Sequence, residues 1–202
     1  MSVPITFFCE FNSPYSYVAA HMIRPVATKH GRTIESRPIS LGHLWQMIAY
    51  DRSSLPQAKL RYLKQDWARV AYFAGLPMAN PKPFPTDTRL ACRMFYRLAA
   101  WNAGLAETFA MGVFDRYWGR GEDIATVEQL TPLALSLGLD PGELAAAPGD
   151  EAAKKATMNA TVQAADMGVF GTPTFVVDGE LFWGQDRTDL LDRWLTRRAQ
   201  AA

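Results

Sequence analysis

Strand-forming patterns in this chain occur near its two ends, with helical patterns between them. At the N-terminal end, the apolar run at residues 5–11 predicts a buried strand. Residues 17–30 predict a helix that Gly31 terminates, and residues 32–38 predict a second strand. A strand, a helix and a strand in this order form a unit whose two strands run parallel, with a right-handed crossover.

The C-terminal end carries a different unit. Residues 174–177 and 180–183 each predict a strand, and Asp178-Gly179 between them is a strong signal for a two-residue hairpin turn. An amphipathic helix is predicted to follow at residues 186–198. The chain is therefore predicted to end as two antiparallel strands and a helix.

The middle of the chain is predicted to be helical. Apolar residues recur there at helical spacing, and Thr126-Val127-Glu128-Gln129 has the pattern of a helix capping box. A block of this size is too large to hang as a loop and must pack as a helical layer. The predicted fold class is α/β: a thioredoxin-like fold of residues 1–43 and 168–202, with a large all-helical insertion domain at residues 44–167 between its βαβ and ββα halves.

Composition excludes several classes of partner. The chain has 202 residues and a net charge of +1, which gives no electrostatic reason to expect a nucleic acid. Its apolar runs are far shorter than a membrane span, and residues 1–4 lack the features of a signal peptide. Cys9 and Cys92 form neither a metal nor a redox motif, so we expect buried, reduced thiols in a cytoplasmic protein with no metal site.

The junction between the first strand and the first helix carries Ser13-Pro14-Tyr15-Ser16. Redox enzymes with a thioredoxin fold have Cys-x-x-Cys at this junction, and here both sulfur positions are hydroxyls. A thiol used here must come from outside the chain, and glutathione is the obvious candidate. Unpaired N–H groups at the helix start favour a thiolate, and the Ser13 hydroxyl can donate a hydrogen bond to it. The alternative is that Ser13 only caps the helix, and for Ser16 we favour a structural role.

A second candidate site is Gly171-Thr172-Pro173-Thr174, directly before a predicted strand. This pattern is typical of the cis-proline loop of thioredoxin-like proteins. With a cis bond before Pro173, the backbone N–H and C=O of Thr172 point outward and can pair with an extended peptide such as the cysteinyl unit of glutathione. The alternative is an ordinary tight turn.

A third candidate site follows the predicted hairpin. Trp183, Gly184, Gln185 and Asp186 open the last helix, whose amides can bind the carboxylate of a γ-glutamyl group. Asp186 can bind the ammonium of the same group. The alternative is that Asp186 is a helix cap.

In their order along the chain, these sites resemble the 2-hydroxychromene-2-carboxylate isomerase family and, through it, the kappa-class glutathione transferases, which are related to DsbA-type oxidoreductases. The resemblance covers nearly the whole chain. It is carried by residues 11–17, 38–42 and 61–69 and, most specifically, by residues 168–175 and 181–187.

The resemblance implies a soluble homodimeric enzyme of aromatic compound catabolism that uses glutathione as cofactor. It implies that Ser13 lies beside the glutathione sulfur, that Thr172 and Pro173 meet the cysteinyl backbone, and that residues 183–186 hold the γ-glutamyl end. The implied reaction interconverts 2-hydroxychromene-2-carboxylate and trans-o-hydroxybenzylidenepyruvate, or a close aromatic analogue, through transient thiolate addition.

One departure from the family pattern concerns the substrate. The isomerases tend to carry a lysine and an asparagine where this chain has Gln46 and Tyr50. Other candidate cations are Lys59, Lys64, Lys82 and Arg89, and candidate aromatic pocket residues are Trp45, Tyr50, Trp67, Phe84 and Trp118.

Two other functions stay open. One is a kappa-like glutathione transferase or peroxidase, which would release a conjugate or an oxidised product. The other is a non-catalytic thioredoxin-like module that binds peptides through the loop at Pro173.

Overall fold

The computed structural model, which describes residues 3–51 and 56–200, contains one four-stranded sheet in the order β2-β1-β3-β4. Its strands are β1 (Ile5–Cys9), β2 (Ile34–Pro38), β3 (Thr174–Val177) and β4 (Glu180–Trp183). β1 and β2 pair in parallel, while β3 is antiparallel to both β1 and β4. The predicted parallel opening unit and C-terminal hairpin are both confirmed.

Helices form most of the rest of the described chain. They are α1 (Pro14–Lys29), α2 (Leu41–Met47), α3 (Gln57–Phe73), α4 (Arg89–Ala99), α5 (Ala103–Phe114), α6 (Val127–Ser136), α7 (Pro141–Ala146), α8 (Glu151–Asp166) and α9 (Thr188–Gln200). A π-helical turn, Asp115–Gly119, extends α5. Within the described ranges, none of these helices combines the length and apolar character needed to cross a membrane.

Parts of three predictions lie outside the described residues. Residues 1–2 belong to the segment without signal-peptide features, residues 52–55 to the predicted insertion, and residues 201–202 to the C-terminal part of the predicted thioredoxin-like domain. The domain boundaries at residues 44 and 167 stay a prediction.

The first helix begins earlier than the apolar pattern predicts. β1 ends at Cys9 rather than at residue 11, and α1 starts at Pro14 rather than at residue 17. The Ser13 hydroxyl accepts the N–H of Ser16 at 3.1 Å and so caps the helix, and Pro14 has the φ angle that the first helical position requires. Ser13 and Pro14 therefore determine where the helix begins. Hydrophobic periodicity gives no information about this position, because neither residue belongs to the apolar pattern.

Helices cover both faces of the sheet. Phe7 points into the larger core, which contains apolar residues of α1, α4, α5 and α9, whereas its neighbour Phe8 points to the opposite face. There it packs with Ala160 and Ala164 of α8 and with Leu44 of α2. Alternation along β1 therefore buries the strand on both sides and places α2 and α8 on the face opposite α1.

Candidate active site

Ser13 lies at the N-terminus of α1 with only 8% of its surface exposed. Its hydroxyl oxygen accepts the N–H of Ser16, and the hydroxyl lies 3.4 Å from the carbonyl oxygen of Thr172, to which it donates. The first turn of α1 has no acidic residue, so no side chain of the helix itself neutralises its N–H groups. The position suits an anion that accepts a hydrogen bond.

The loop before β3 contains a cis peptide bond between Thr172 and Pro173. The carbonyl oxygen of Pro173 accepts the N–H of Gly184 at 2.9 Å, which ties this loop to the end of the hairpin. Among the described residues, the N–H of Thr172 donates to no backbone carbonyl. An extended peptide that lies along this loop can therefore pair with Thr172.

The turn after β4 holds Asp186 in a defined place. Gly184 has a φ angle of +110°, and a Cβ atom on it would clash with the Asp186 Oδ1 atom. Only glycine therefore allows the carboxylate to fold back over this residue. Asp186 also pairs with Arg187 at 3.1 Å and is more than half exposed. The backbone carbonyl of Gln185 accepts a hydrogen bond from the Thr188 hydroxyl at 2.7 Å.

Trp183 lies on the other side of the same turn. Its indole packs directly on Gly171, where a Cβ atom would come 2.8 Å from the indole nitrogen. Its ring centroid is 4.8 Å from that of Phe170, and the side chain is 53% exposed. An exposed tryptophan beside the cis-proline loop forms an apolar wall for a bound ligand.

The structure thus links the predicted site residues by direct contacts. Ser13 touches Thr172, Pro173 is hydrogen-bonded to Gly184, and Trp183 packs on the loop residue Gly171. Asp186 lies near Tyr15, since its charge adds to the effects that raise the pKa of that phenol.

Tyr15 connects this region to α3. Its hydroxyl donates to Asp66 at 2.7 Å, and Tyr62 donates to the other oxygen of the same carboxylate at 2.9 Å. Burial, followed by the Asp66 hydrogen bond, raises the pKa of Tyr15, so the phenol stays protonated at neutral pH. Asp66 lies in a segment that carried the family resemblance, but sequence reasoning did not single it out.

A cavity of about 520 Å³ opens next to this region. Asn12 lines it, so it begins one residue from Ser13, although Ser13, Thr172 and Trp183 are not part of its wall. Its lining comes from the end of β1 and from α2, α4 and α8, and includes Glu10, Leu41, Trp45, Thr88, Cys92 and Met158.

Four basic side chains also line this cavity: His43, Arg89, Arg93 and Lys154. Arg89 was a predicted candidate cation and is bound by Asp87, while Lys59, Lys64 and Lys82 are not in the lining. Sequence reasoning missed Arg93, which follows Arg89 by one helical turn. It also missed Lys154, which lies on the same face of α8 as Met158.

Among Trp45, Gln46 and Tyr50, which are predicted to affect substrate binding, one lines the cavity and two do not. Trp45 lines the cavity and donates its indole N–H to the Phe170 carbonyl at 3.1 Å. Gln46 and Tyr50 are exposed and do not line it.

The other predicted aromatic residues also lie elsewhere. Trp118 is buried in the core, with Trp67 and Phe84 against it at centroid distances of 5.8 and 5.4 Å.

Both cysteines are buried and free, as predicted. Burial raises the pKa of the Cys9 thiol well above its usual value and raises that of Cys92 as well. Although Cys92 contributes to the cavity wall, it is 3% exposed. Neither thiol has the environment of a nucleophile.

Comparison with known proteins agrees with this architecture. Residues 4–196 match the family model of the DSBA-like thioredoxin domain. The chain is 31% identical over 201 residues to a 2-hydroxychromene-2-carboxylate isomerase of Sphingobium xenophagum, covering 96% of this chain and 99% of the relative. It is 25% identical to glutathione S-transferase kappa 1 of Caenorhabditis elegans, covering 93% of this chain and 88% of that protein.

A solved structure of a 2-hydroxychromene-2-carboxylate isomerase has the same fold. It superimposes with a TM-score of 0.87 at 26% sequence identity, over 98% of this chain and 97% of that one. Similarity in both sequence and structure thus extends over nearly the full length of the chain. The chain belongs to the DSBA-like thioredoxin family and, within it, to the 2-hydroxychromene-2-carboxylate isomerases.

Proposed function

We propose that this protein is a glutathione-dependent isomerase that interconverts 2-hydroxychromene-2-carboxylate and trans-o-hydroxybenzylidenepyruvate, or a close aromatic analogue. The observation that carries the proposal is the position of the Ser13 hydroxyl. It lies at a helix N-terminus and in contact with Thr172 of the cis-proline loop, in a chain whose own thiols are buried. Its relatives are named as isomerases of this kind and as a kappa-class glutathione transferase.

The residues at the junction fit glutathione along its length. The N–H and C=O of Thr172 can pair with the cysteinyl unit, as an added strand pairs with a sheet edge. Trp183 and Gly184 would border the γ-glutamyl end, Gln185 and the following N–H groups would bind its carboxylate, and Asp186 would bind its ammonium.

Glutathione, when bound, supplies a thiolate that adds to an unsaturated carbon, allows rotation about the former double bond, and leaves again. For this the chain must keep the thiol ionised. A cysteine thiol has a pKa of about 8.5, and lowering it by about 2 corresponds to about 2.7 kcal/mol. The N–H groups of α1 and the Ser13 hydroxyl act together on the sulfur position. The Ser13 cap uses only an oxygen lone pair, so the hydroxyl hydrogen, which donates to the Thr172 carbonyl at 3.4 Å, can turn to a bound sulfur without loss of the cap.

The basic cavity supports an anionic acceptor. His43, Arg89, Arg93 and Lys154 surround a space whose remaining lining includes Leu41, Trp45 and Met158. An aromatic ring suits the apolar wall, and a carboxylate suits the cationic side chains of Arg89, Arg93 and Lys154. We further propose that the enzyme acts in aromatic compound catabolism as a cytoplasmic homodimer, as the family resemblance implies.

The decisive experiment is product analysis. The purified protein is mixed with catalytic glutathione and the ring-closed substrate, and both the trans product and free glutathione are quantified. Isomerisation predicts many turnovers with glutathione recovered unchanged. Loss of glutathione in proportion to product would identify a transferase or peroxidase. No product, together with binding of peptides at the Pro173 loop, would identify a binding module.

A further inference from the structure

Glu10 is a buried carboxylate in the wall of the 520 Å³ cavity, which is called the acceptor cavity below. It follows β1 directly, is 7% exposed, and lines the cavity together with Asn12 and Thr88. Removing a carboxylate from water carries a desolvation penalty of several kcal/mol in proteins. A carboxylate retained beside a cavity next to a candidate nucleophile site therefore points to a chemical role.

The position of Glu10 relative to Ser13 is fixed by the backbone. The N–H of Ser13 donates to the Glu10 carbonyl at 2.9 Å, so the two residues are the ends of one tight turn. The N–H of Glu10 also points to the Ser16 hydroxyl oxygen at 3.4 Å. Glu10 therefore links the two regions, since its backbone belongs to the turn that carries Ser13 and its residue lines the cavity.

The carboxylate itself is oriented from α4. The Thr88 hydroxyl donates to Glu10 Oε1 at 3.1 Å. The neighbouring Thr86 pairs twice with the side chain of Asn12, at 2.8 and 2.9 Å. These contacts tie the segment after β1 to the segment before α4, and both segments contribute to the cavity wall.

We propose that Glu10 is a catalytic residue that transfers the proton during opening of the chromene ring. This proposal rests on the proposed function. The substrate is a hemiketal, and opening it requires a proton to leave the hydroxyl on C2 and a proton to reach the ring oxygen. The proposal assigns both transfers to one carboxylate.

The step balances without any further reactant. The Glu10 carboxylate takes the proton of the C2 hydroxyl, whose O–H electron pair becomes the second bond of the ketone. The bond between C2 and the ring oxygen breaks, and its electron pair stays on that oxygen as a phenolate. The Glu10 carboxyl then returns the proton to the phenolate. The reverse sequence closes the ring, and nothing is oxidised or reduced.

The test compares two substrates in wild type and Glu10→Gln. The first is the ring-closed substrate, which needs the proton transfer. The second is the acyclic cis isomer with its phenol oxygen methylated, which cannot form the ring and needs only thiolate addition, rotation and elimination. Ultraviolet absorbance of the bound glutathione thiolate is recorded for both proteins, because it reports the cofactor site independently of turnover.

Glu10→Gln keeps the size of the side chain and an oxygen that can accept from Thr88. We expect turnover of the ring-closed substrate to fall by about 100-fold or more, as for loss of a general acid–base group. Turnover of the methylated substrate and the thiolate signal should stay within about twofold of wild type. Equal rate losses for both substrates, or no loss for either, would overturn the role of Glu10.

Two further outcomes are decisive. If Glu10→Gln does not fold, Glu10→Asp is measured instead, and an unchanged ratio between the two substrates overturns the proposal. A wild-type protein that neither ionises glutathione nor converts the methylated substrate removes the proposed function, and the role of Glu10 falls with it.

Discussion

The hydroxyl of Ser13 lies 3.4 Å from the carbonyl oxygen of Thr172, the residue that precedes the cis proline. The contact joins the first helix of the chain to the loop that introduces its last two strands. Antiparallel pairing of β1 with β3 brings these two segments to the same end of the two central strands. The sheet topology therefore places Ser13 beside Thr172, and the side chains around these two residues determine which ligand can bind there.

Ser13→Ala should raise the pKa of the bound glutathione thiol by about 1, because the mutation removes a hydrogen bond to a charged sulfur. It should also lower the free energy of unfolding by about 1 kcal/mol, because the cap of α1 is lost. Asn102→Ala is the matched control, since Asn102 caps α5 with a bond of 3.0 Å to the Leu105 N–H. It should lose similar stability without changing the thiol pKa. If both variants leave that pKa unaltered, Ser13 is only a cap.

Asp186→Asn should weaken glutathione binding about tenfold, because a charge-assisted hydrogen bond to the γ-glutamyl ammonium contributes about 1.5 kcal/mol. Calorimetry with glutathione measures the loss of affinity. Calorimetry with an analogue that lacks the amino group tests whether contact with the ammonium is its cause. The variant should bind the two equally, whereas wild type should prefer glutathione. Asp189→Asn, at an exposed position in the first turn of α9, is the control. A variant that still discriminates between the two ligands would show that Asp186 does not contact the ammonium.

Lys154→Gln should raise the KM for an anionic aromatic acceptor about two- to fivefold, the equivalent of about 0.5–1 kcal/mol for a partly exposed charge pair. The value of kcat should not change, because Lys154 lies in the cavity wall and not at the thiol junction. Lys155→Gln, an exposed neighbour outside the cavity, is the control. An equal change in both variants would mean that net charge, and not the cavity, determines the effect.

Asp178→Asn tests the electrostatic link between the hairpin and the N-terminal unit. Hydrogen bonds from Arg32 at 3.0 and 3.1 Å hold the pKa of Asp178 below its usual range. A lowered pKa in the folded state stabilises the protein above the unfolded value of about 3.9, and this stabilisation is lost as the pH falls through the folded value. Asparagine tolerates the φ angle of +50° at this position.

We therefore expect Asp178→Asn to be less stable than wild type at pH 7, by up to about 1 kcal/mol, with the difference lost at a pH well below the unfolded value of about 3.9. Urea unfolding at both pH values measures it, with Glu180→Gln in the same hairpin as the control. A difference that persists at low pH would mean that the ion pair is not its cause.

Sequence predicts those parts of the fold that depend on short-range chemistry. Asp178-Gly179 adopts positive φ angles at both positions, as a two-residue hairpin turn requires, and Thr126 and Gln129 form the predicted capping box. The cis peptide bond before Pro173 could not be predicted in the same way. Only about 5% of such bonds are cis, and the neighbouring residues do not determine which of them are.

The acceptor cavity could not be predicted in this way. His43, Arg93 and Lys154 come from three helices, and their convergence depends on how α2, α4 and α8 pack around the end of β1. Helical spacing defines which residues share a face of one helix, but not which faces of different helices meet. For the same reason the sequence pattern places Glu10 only in a predicted apolar strand, although the residue lies in the cavity wall.

If this chain ionises a thiol that it does not itself contain, bound glutathione must be a thiolate at neutral pH. The most direct measurement is a pH titration of the purified protein with glutathione, following the ultraviolet absorbance of the thiolate. We expect a saturable signal with a pKa well below the value of about 8.5 for a free cysteine thiol. A bound thiol with an unshifted pKa, or no binding at millimolar glutathione, would contradict it.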